Sequence, residues 1–305
     1  MSAAPRLVTG VCPVLETPFT DEGEVDFESF DQLIDHLLSA GIRSAMFPGF
    51  ASEFYKLSDE ERGLLTDRLL DRTRGVEGFL MVVSVPDHAT VVAVRQAKHA
   101  VERGAGMINV LPPHAFGPSS QAVHDHLRAV IDAVAPIPVI VQYAPAQTGT
   151  ALDAGAIAEL ARTSPNLVQV KVESTPPGRL ISALAALKPP FSSVVGYAGV
   201  QLVDALRRGA SGVQPGCSFV EIYQRIWELW SDGRTDESAA VHTRLLPYIS
   251  YWMQDVELIV AAEKRVSMLR GIIASDHCRA PARVLDAEER ASIDRFLKEF
   301  QELLG

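Results

Sequence analysis

The sequence predicts an α/β protein whose parallel sheet is either doubly wound or closed into a (β/α)8 barrel, followed by a helical extension. Three observations carry this. Short apolar runs alternate with longer amphipathic ones over the first two-thirds of the chain, as parallel strands and crossover helices do. No GxGxxG or Walker-type fingerprint follows the first strand, which weakens the doubly wound, nucleotide-binding alternative. Beyond about residue 218 the strand-like runs stop and only helical patterns remain.

Strands are expected at Leu7–Val14, Ser44–Phe47, Phe79–Val83, Met107–Leu111, Val139–Gln142, Val168–Val172, Ser193–Val195 and Gly212–Val213. Helical periodicity falls between them, at Phe27–Ser39, Asp59–Arg72, Ala89–Arg103, Gln121–Val134 and Ala154–Thr163. Ser58-Asp-Glu-Glu61 reads as a capping box, in which hydroxyl and carboxylate satisfy first-turn amides reciprocally. Gly41 and Gly104 fall just past helices, where a left-handed residue ends the turn at little cost. Four helices then follow, Phe219–Ser231, Asp236–Tyr251, Val256–Arg270 and Ala287–Leu304. The division expected is a barrel over residues 1–218 and an extension over 219–305 packed on it.

The chain has 305 residues, 47% of them apolar, with 28 Lys and Arg against 38 Asp and Glu for a net charge of −10. That balance disfavours nucleic acid and anionic membranes as partners. Three cysteines, Cys12, Cys217 and Cys278, stand far apart with no CxxC, which fits a reducing cytoplasm better than a disulfide scaffold or a zinc site. The N-terminal MSAAPRLVTGVCP has no apolar signal core, and no run approaches the roughly 18 apolar residues of a membrane span. His124-x-His126 points two ways on a helix, so no metal site is expected.

The chemistry concentrates on the sixth strand. Val168-Gln-Val-Lys-Val-Glu173 alternates strictly, so the valines share one face and Gln169, Lys171 and Glu173 the other. On a two-sided antiparallel sheet that polar face is merely wet. In a parallel barrel, helices cover the outside, so Lys171 points inward near the C-terminal strand end, where barrel enzymes place their chemistry. A desolvated amine is suited to imine formation. Tyr143, at the end of the fifth strand and followed by Pro145, is positioned as a proton shuttle or as a packed rim residue. Gly49 permits a tight turn after the second strand, whose amides, with the Ser52 hydroxyl, suit a small carboxylate.

Read in order, these segments resemble the dihydrodipicolinate synthase/N-acetylneuraminate lyase family of pyruvate-dependent class I aldolases. Thr17-Pro-Phe19 matches that family's TPF. Gly49–Glu53 stands where the family has Gly-Thr-Thr-Gly-Glu, and Leu57-Ser-Asp-Glu-Glu-Arg62 continues the match. Tyr143-Ala-Pro145 with Thr148-Gly149 resembles its YNxP…TG, and Lys171 falls at the Schiff-base lysine. The resemblance implies a (β/α)8 TIM barrel and a lysine imine with pyruvate or another 2-keto acid, with no dissociable cofactor. It implies that Lys171 and Tyr143 are catalytic. Gly49, Phe50, Ala51 and Ser52 would hold the carboxylate, Gly196 would line the floor, and Thr17 would support the site from behind. A homo-oligomer, tetramer or dimer, is implied as well.

The chain departs from the synthase branch in three places. Phe50 and Ala51 replace two loop threonines, and Pro112-Pro113-His114 replaces a Pro-Tyr-Tyr segment, leaving His114 as the substitute donor. Ala146-Gln147 stands where an arginine would bind the aldehyde's carboxylate, and a neutral amide makes no bidentate charge-assisted pair. Gln147 and Gln214 are therefore expected to offer amides to a polar substrate, while Phe50, Phe54, Tyr55 and Phe116 could wall an apolar aldehyde. The expected function is a Schiff-base aldolase or lyase joining or parting a 2-keto acid and an aldehyde, other than the lysine-pathway synthase. The alternatives are a keto-deoxy sugar acid dehydratase using the same imine and, from another class, an inactive barrel that binds a keto acid.

Overall fold

The structure, a computed structural model, describes residues 6–150 and 152–305. Eight parallel strands follow one another around a barrel: β1 (Gly10–Val11), β2 (Ser44–Phe47), β3 (Leu80–Val85), β4 (Met107–Val110), β5 (Val139–Tyr143), β6 (Leu167–Val172), β7 (Ser192–Val195) and β8 (Gly212–Val213). β1 pairs with β8. The ring closes on the other side through a parallel bridge between Val14 and Met46. The expected first strand, Leu7–Val14, shortens to two regularly paired residues because Pro13 has no N–H to continue the ladder. Its backbone stays extended, with Cys12 N donating to Val213 O and Met46 N to Pro13 O.

Parity along each strand sorts the side chains. Cys12, Met46, Val82, Met107, Ile140 and Val194 fill the barrel, whereas Val11, Phe47, Val83, Ile108, Val141 and Val170 face the helices. One strand breaks the pattern. The register between β5 and β6 shifts after Val139, so Val168 is an extra residue that packs toward the inner cluster instead of the helices. The three valines of β6 therefore do not share one face. Next to the bulge, Gln169 closes the lower barrel by bonding Val8 N and O and the hydroxyls of Ser192 and Ser211.

The Ser58–Glu61 capping box forms in both directions, and Gly104 ends its helix with φ 107°. Two short helices, Gly178–Ala185 and Leu202–Arg207, complete the crossovers after β6 and β7. The helix Val220–Ser231 follows β8 and packs Trp227 against Gly10 of β1. It is the barrel's eighth helix, so the added layer begins at Thr235 rather than at 219. That layer, Thr235–Trp252, Val256–Leu269 and Ala287–Glu299, joins the barrel through an aromatic cluster. Phe296 lies edge-on to both Phe219 and Trp252, with ring centroids 5.0 and 5.2 Å away.

Where β8 meets β1, Gly212 touches the Gly10 backbone so closely that a Cβ would collide with Gly10 O. Gly212→Ala should therefore cost about 3 kcal/mol and lower the melting temperature by about 5–10 °C. Thermal denaturation followed by circular dichroism checks this; an unchanged midpoint would refute so tight a closure.

Candidate active site

Lys171 sits at the top of the barrel interior, 3% exposed, in register with Gln142 on β5 and Val194 on β7. Its Nζ lies 3.2 Å from Glu173 Oε1. Glu173 is held on every side. Gln142 Nε2 donates to its Oε2 at 2.7 Å, and Tyr197 N approaches Oε1 at 3.3 Å. Asn109 Nδ2 fixes Gln142 by donating to its Oε1 at 3.0 Å and also donates to Ser84 Oγ. A row of inward polar groups from β3 to β6 thus aims one carboxylate at one amine. Gly196 makes room for it, since a Cβ there would collide with the Glu173 carboxylate.

Lys171 and Glu173 open onto a cleft at the top of the barrel. Phe50, Ala51, Gln147, Tyr197, Gln214, Glu16 and Glu263 line it, and the added layer supplies Met253, Val256, Ile259 and Val260. Tyr197 and Ala198 carry φ of 57° and 49°, a strained conformation for non-glycine residues that surrounding contacts must hold. Tyr223 OH donates to Ala198 O at 2.7 Å, and His242 Nε2 lies 2.8 Å from Gly199 O. Gln147 Nε2 reaches Tyr197 OH at 3.2 Å.

Opposite Lys171 the wall is acidic. Glu16 follows β1 and Glu263 comes from the helix Val256–Leu269; both are nearly inaccessible and both face the cleft. Burial pushes the Glu16 carboxyl up to about 7, against the influence of Ser267 and Lys264. Burial, reinforced by the charge of Glu16, pushes Glu263 up to about 8. Glu263 Oε2 accepts from Ser218 Oγ at 3.1 Å, and a Cβ on Gly216 would collide with its carboxylate. Behind this wall Glu53 and Lys264 form a fully buried ion pair. Lys264 Nζ also donates to His277 O at 3.0 Å and lies 4.2 Å from the Phe19 ring centre. A pair so enclosed is costly to break, because the survivor would be an uncompensated buried charge.

The residues singled out from sequence separate into groups. Lys171, Phe50, Ala51, Gln147 and Gln214 line the cleft. Gly49, Ser52 and Thr17 hold the loop instead: Ser52 Oγ bonds Leu15 O and accepts from Gly49 N, and Thr17 Oγ1 donates to Ser52 O at 2.7 Å. With its hydroxyl so engaged, Ser52 positions the loop rather than a ligand. Gly196 admits Glu173. His114 lies in the loop after β4, near His88 and away from the cleft-lining residues. Of the proposed apolar wall only Phe50 lines the cleft; Phe116 is fully exposed.

Tyr143 ends β5 in register with Val172 and packs in part against the core. Gln142, one residue before it, is the β5 residue in register with Lys171. Tyr197, Glu16 and Glu263 belong to no motif and were not anticipated. The one available hint was a Glu inside the apolar run that precedes Thr17-Pro-Phe19.

The Dihydrodipicolinate synthetase family description matches residues 7–300. The chain belongs to this family. It is 29% identical over 300 residues to L-2-keto-3-deoxyarabonate dehydratase of Azospirillum brasilense, covering 96% of this chain and 94% of that one. It is 28% identical to 4-hydroxy-tetrahydrodipicolinate synthase of Chlorobium luteolum, covering 98% of each. The crystal structure of YagE from Escherichia coli K12 in complex with pyruvate superposes with a TM-score of 0.88 at 26% identity, covering 97% of this chain and 99% of that one. The sequence of YagE, described as a putative 2-dehydro-3-deoxy-D-gluconate aldolase, is similar over 97% of this chain and 98% of its own. The family's members are lyases, and this chain is a lyase of the same kind. Among the described residues, no helix is long and apolar enough to cross a membrane.

The acidic wall has a thermodynamic signature. Between about pH 4.5 and 8 the folded chain holds protons on Glu16 and Glu263 that the unfolded chain has released, so their contribution to stability falls as pH rises. The melting temperature should drop from pH 5 to pH 8, and by less in Glu263→Gln. Calorimetry of both proteins at the two pH values checks this; equal drops would contradict it.

Proposed function

We propose that this chain is a class I lyase that holds pyruvate or another 2-keto acid as an imine on Lys171 and makes or breaks a bond two carbons from the carboxylate. The observation that carries the reading is the buried Lys171 amine at the C-terminal end of β6, facing the cleft with one oriented carboxylate in reach. Neutral Nζ adds to the carbonyl carbon and water leaves. The protonated imine draws in the electron pair of a C–H or C–C bond that breaks at the neighbouring carbon, and the resulting enamine returns that pair to an aldehyde carbon or a proton as the new bond forms. No dissociable cofactor enters these steps.

Glu173 is the group we assign to moving protons between Lys171 Nζ and the reacting carbons, because it lies 3.2 Å from Nζ and is fixed by Gln142 and Tyr197 N. Phe50 and Ala51 begin a single turn of 3₁₀ helix at the cleft, where unpaired first-turn amides suit the keto acid's carboxylate. Gln147, neutral where the synthase branch has an arginine, supports a second substrate without a carboxylate. A homo-oligomer in the cytoplasm accords with the family resemblance and with three unpaired cysteines; sedimentation analysis would measure the assembly.

A second reading is a dehydratase on a keto-deoxy sugar acid through the same imine; a relative of 29% identity is named for such a reaction. Product analysis separates the two: the aldolase yields pyruvate and an aldehyde, the dehydratase yields water and a deoxygenated keto acid.

Borohydride reduction in the presence of pyruvate should add a stable adduct to the peptide containing Lys171, read by mass spectrometry. A folded protein that gives no adduct with any 2-keto acid would refute the imine. Glu173→Gln should lower kcat by about 100-fold or more. Tyr143→Phe, at the shuttle position that the resemblance implies, should lower turnover while sparing the pyruvate adduct; unchanged turnover would remove Tyr143 as the shuttle.

A further inference from the structure

We infer that Tyr197, backed by Met253, is a fixed partition that closes the cleft against a second, apolar depression and so keeps 2-keto acids with bulky apolar tails off Lys171. The inference rests on the imine reading and concerns what limits the size of the group carried on the imine.

Two hollows meet at these residues. Tyr197 and Met253 line the cleft, and both also line a depression beside it. Val172, Pro177 and Val195, all buried, form the floor of that depression. Val172 and Val195 belong to the helix-facing core, so the depression lies outside the barrel wall, whereas the cleft lies over the barrel interior. Ser174, Gln201 and Gln254 edge it, and among the described residues no charged side chain lines it. Apolar surface of this kind favours an apolar group over water. Only the partition keeps a tail in the cleft from reaching it.

The partition stands close to the reacting amine. Lys171 Nζ lies 3.2 Å from Glu173 Oε1, and Tyr197 N donates to the same oxygen at 3.3 Å. A group carried on Nζ is therefore one carboxylate away from Tyr197. The phenol is tethered as well, since Gln147 Nε2, from the short helix Pro145–Thr148, donates to its oxygen at 3.2 Å. Tyr197, Ala198 and Gly199 are left-handed in succession, with φ of 57°, 49° and 67°. Tyr223 OH grips Ala198 O and His242 grips Gly199 O. Such a backbone persists only where its surroundings hold it. A tail that forced the ring outward would break the Gln147 tether and draw the Tyr197 N–H from Glu173. Oversize thus costs the alignment of the carboxylate beside the amine.

Trapping on Lys171 tests this without depending on turnover. Cyanoborohydride labelling is titrated with pyruvate and with 2-oxo-4-phenylbutanoate, whose tail is neutral, apolar and bulky. In the wild-type protein the phenyl probe should need at least about tenfold more than pyruvate for half-saturation. In Tyr197→Ala and in Met253→Ala that ratio should fall to within about threefold. Val200 lines the depression and not the cleft. Adding Val200→Phe to Tyr197→Ala should therefore refill the space and return the ratio to about tenfold, which a site that had merely loosened would not do. Circular dichroism identifies the folded variants, and either single variant that folds decides the matter. A wild-type ratio within about threefold, a ratio unmoved in a folded single variant, or no response to Val200→Phe would overturn the partition. Absence of any pyruvate adduct in the wild-type protein would instead overturn the imine, and the partition's role with it.

Discussion

Closure of the parallel sheet is the constraint on which the rest of the molecule depends. An open sheet would leave the inner face of β6 wet, and Lys171 and Glu173 would be an ordinary surface pair worth little. Once Val14 bridges Met46, that face becomes a dry interior with Gln169 sealing its lower end. The same alternation that hides Val170 and Val172 among the helices forces the amine and the carboxylate inward. In that setting each polar group must find a partner. The chain Ser84–Asn109–Gln142–Glu173–Lys171 is the result.

The barrel alone does not complete the site. Helix Val256–Leu269 of the added layer brings Glu263 against Gly216 and Lys264 against Glu53, so one turn of helix supplies a cleft wall and a buried ion pair. Two glycines perform parallel tasks. Gly196 admits the Glu173 carboxylate beside the amine, and Gly216 admits the Glu263 carboxylate that lines the cleft. Tyr223 and His242, from the helices that follow, brace the strained turn at Tyr197–Ala198 from behind. The extension is therefore part of the active-site architecture as much as of the packing.

Much of this was legible in the order of residues. Strand and helix positions followed from local periodicity, and Lys171 stood out because a Lys between valines makes sense only when the opposite face is covered. Other placements needed the folded chain. The motif marks Tyr143 at the strand end, and the register puts Gln142 level with Lys171. Ser52 was read as a free hydroxyl, yet its partners Leu15 and Gly49 lie across a turn whose shape no local rule specifies. His114, read from its place in the Pro-Pro-His segment, lies in the loop after β4 beside His88, and Phe116 is fully exposed.

The net charge of −10 disfavours nucleic acid and anionic membranes but is silent about the cleft, where position decides what a carboxylate does. The amino-acid sequence by itself determined the βα alternation, the family, the inward face of β6 and the identity of its lysine, because these rest on contacts within a few residues or on period two. The tertiary structure alone decided which carboxyls face the cleft and where the barrel ends. Those outcomes depend on groups as distant in the chain as Glu16 and Glu263. Only the closed fold brings such groups out of water and into one another's field.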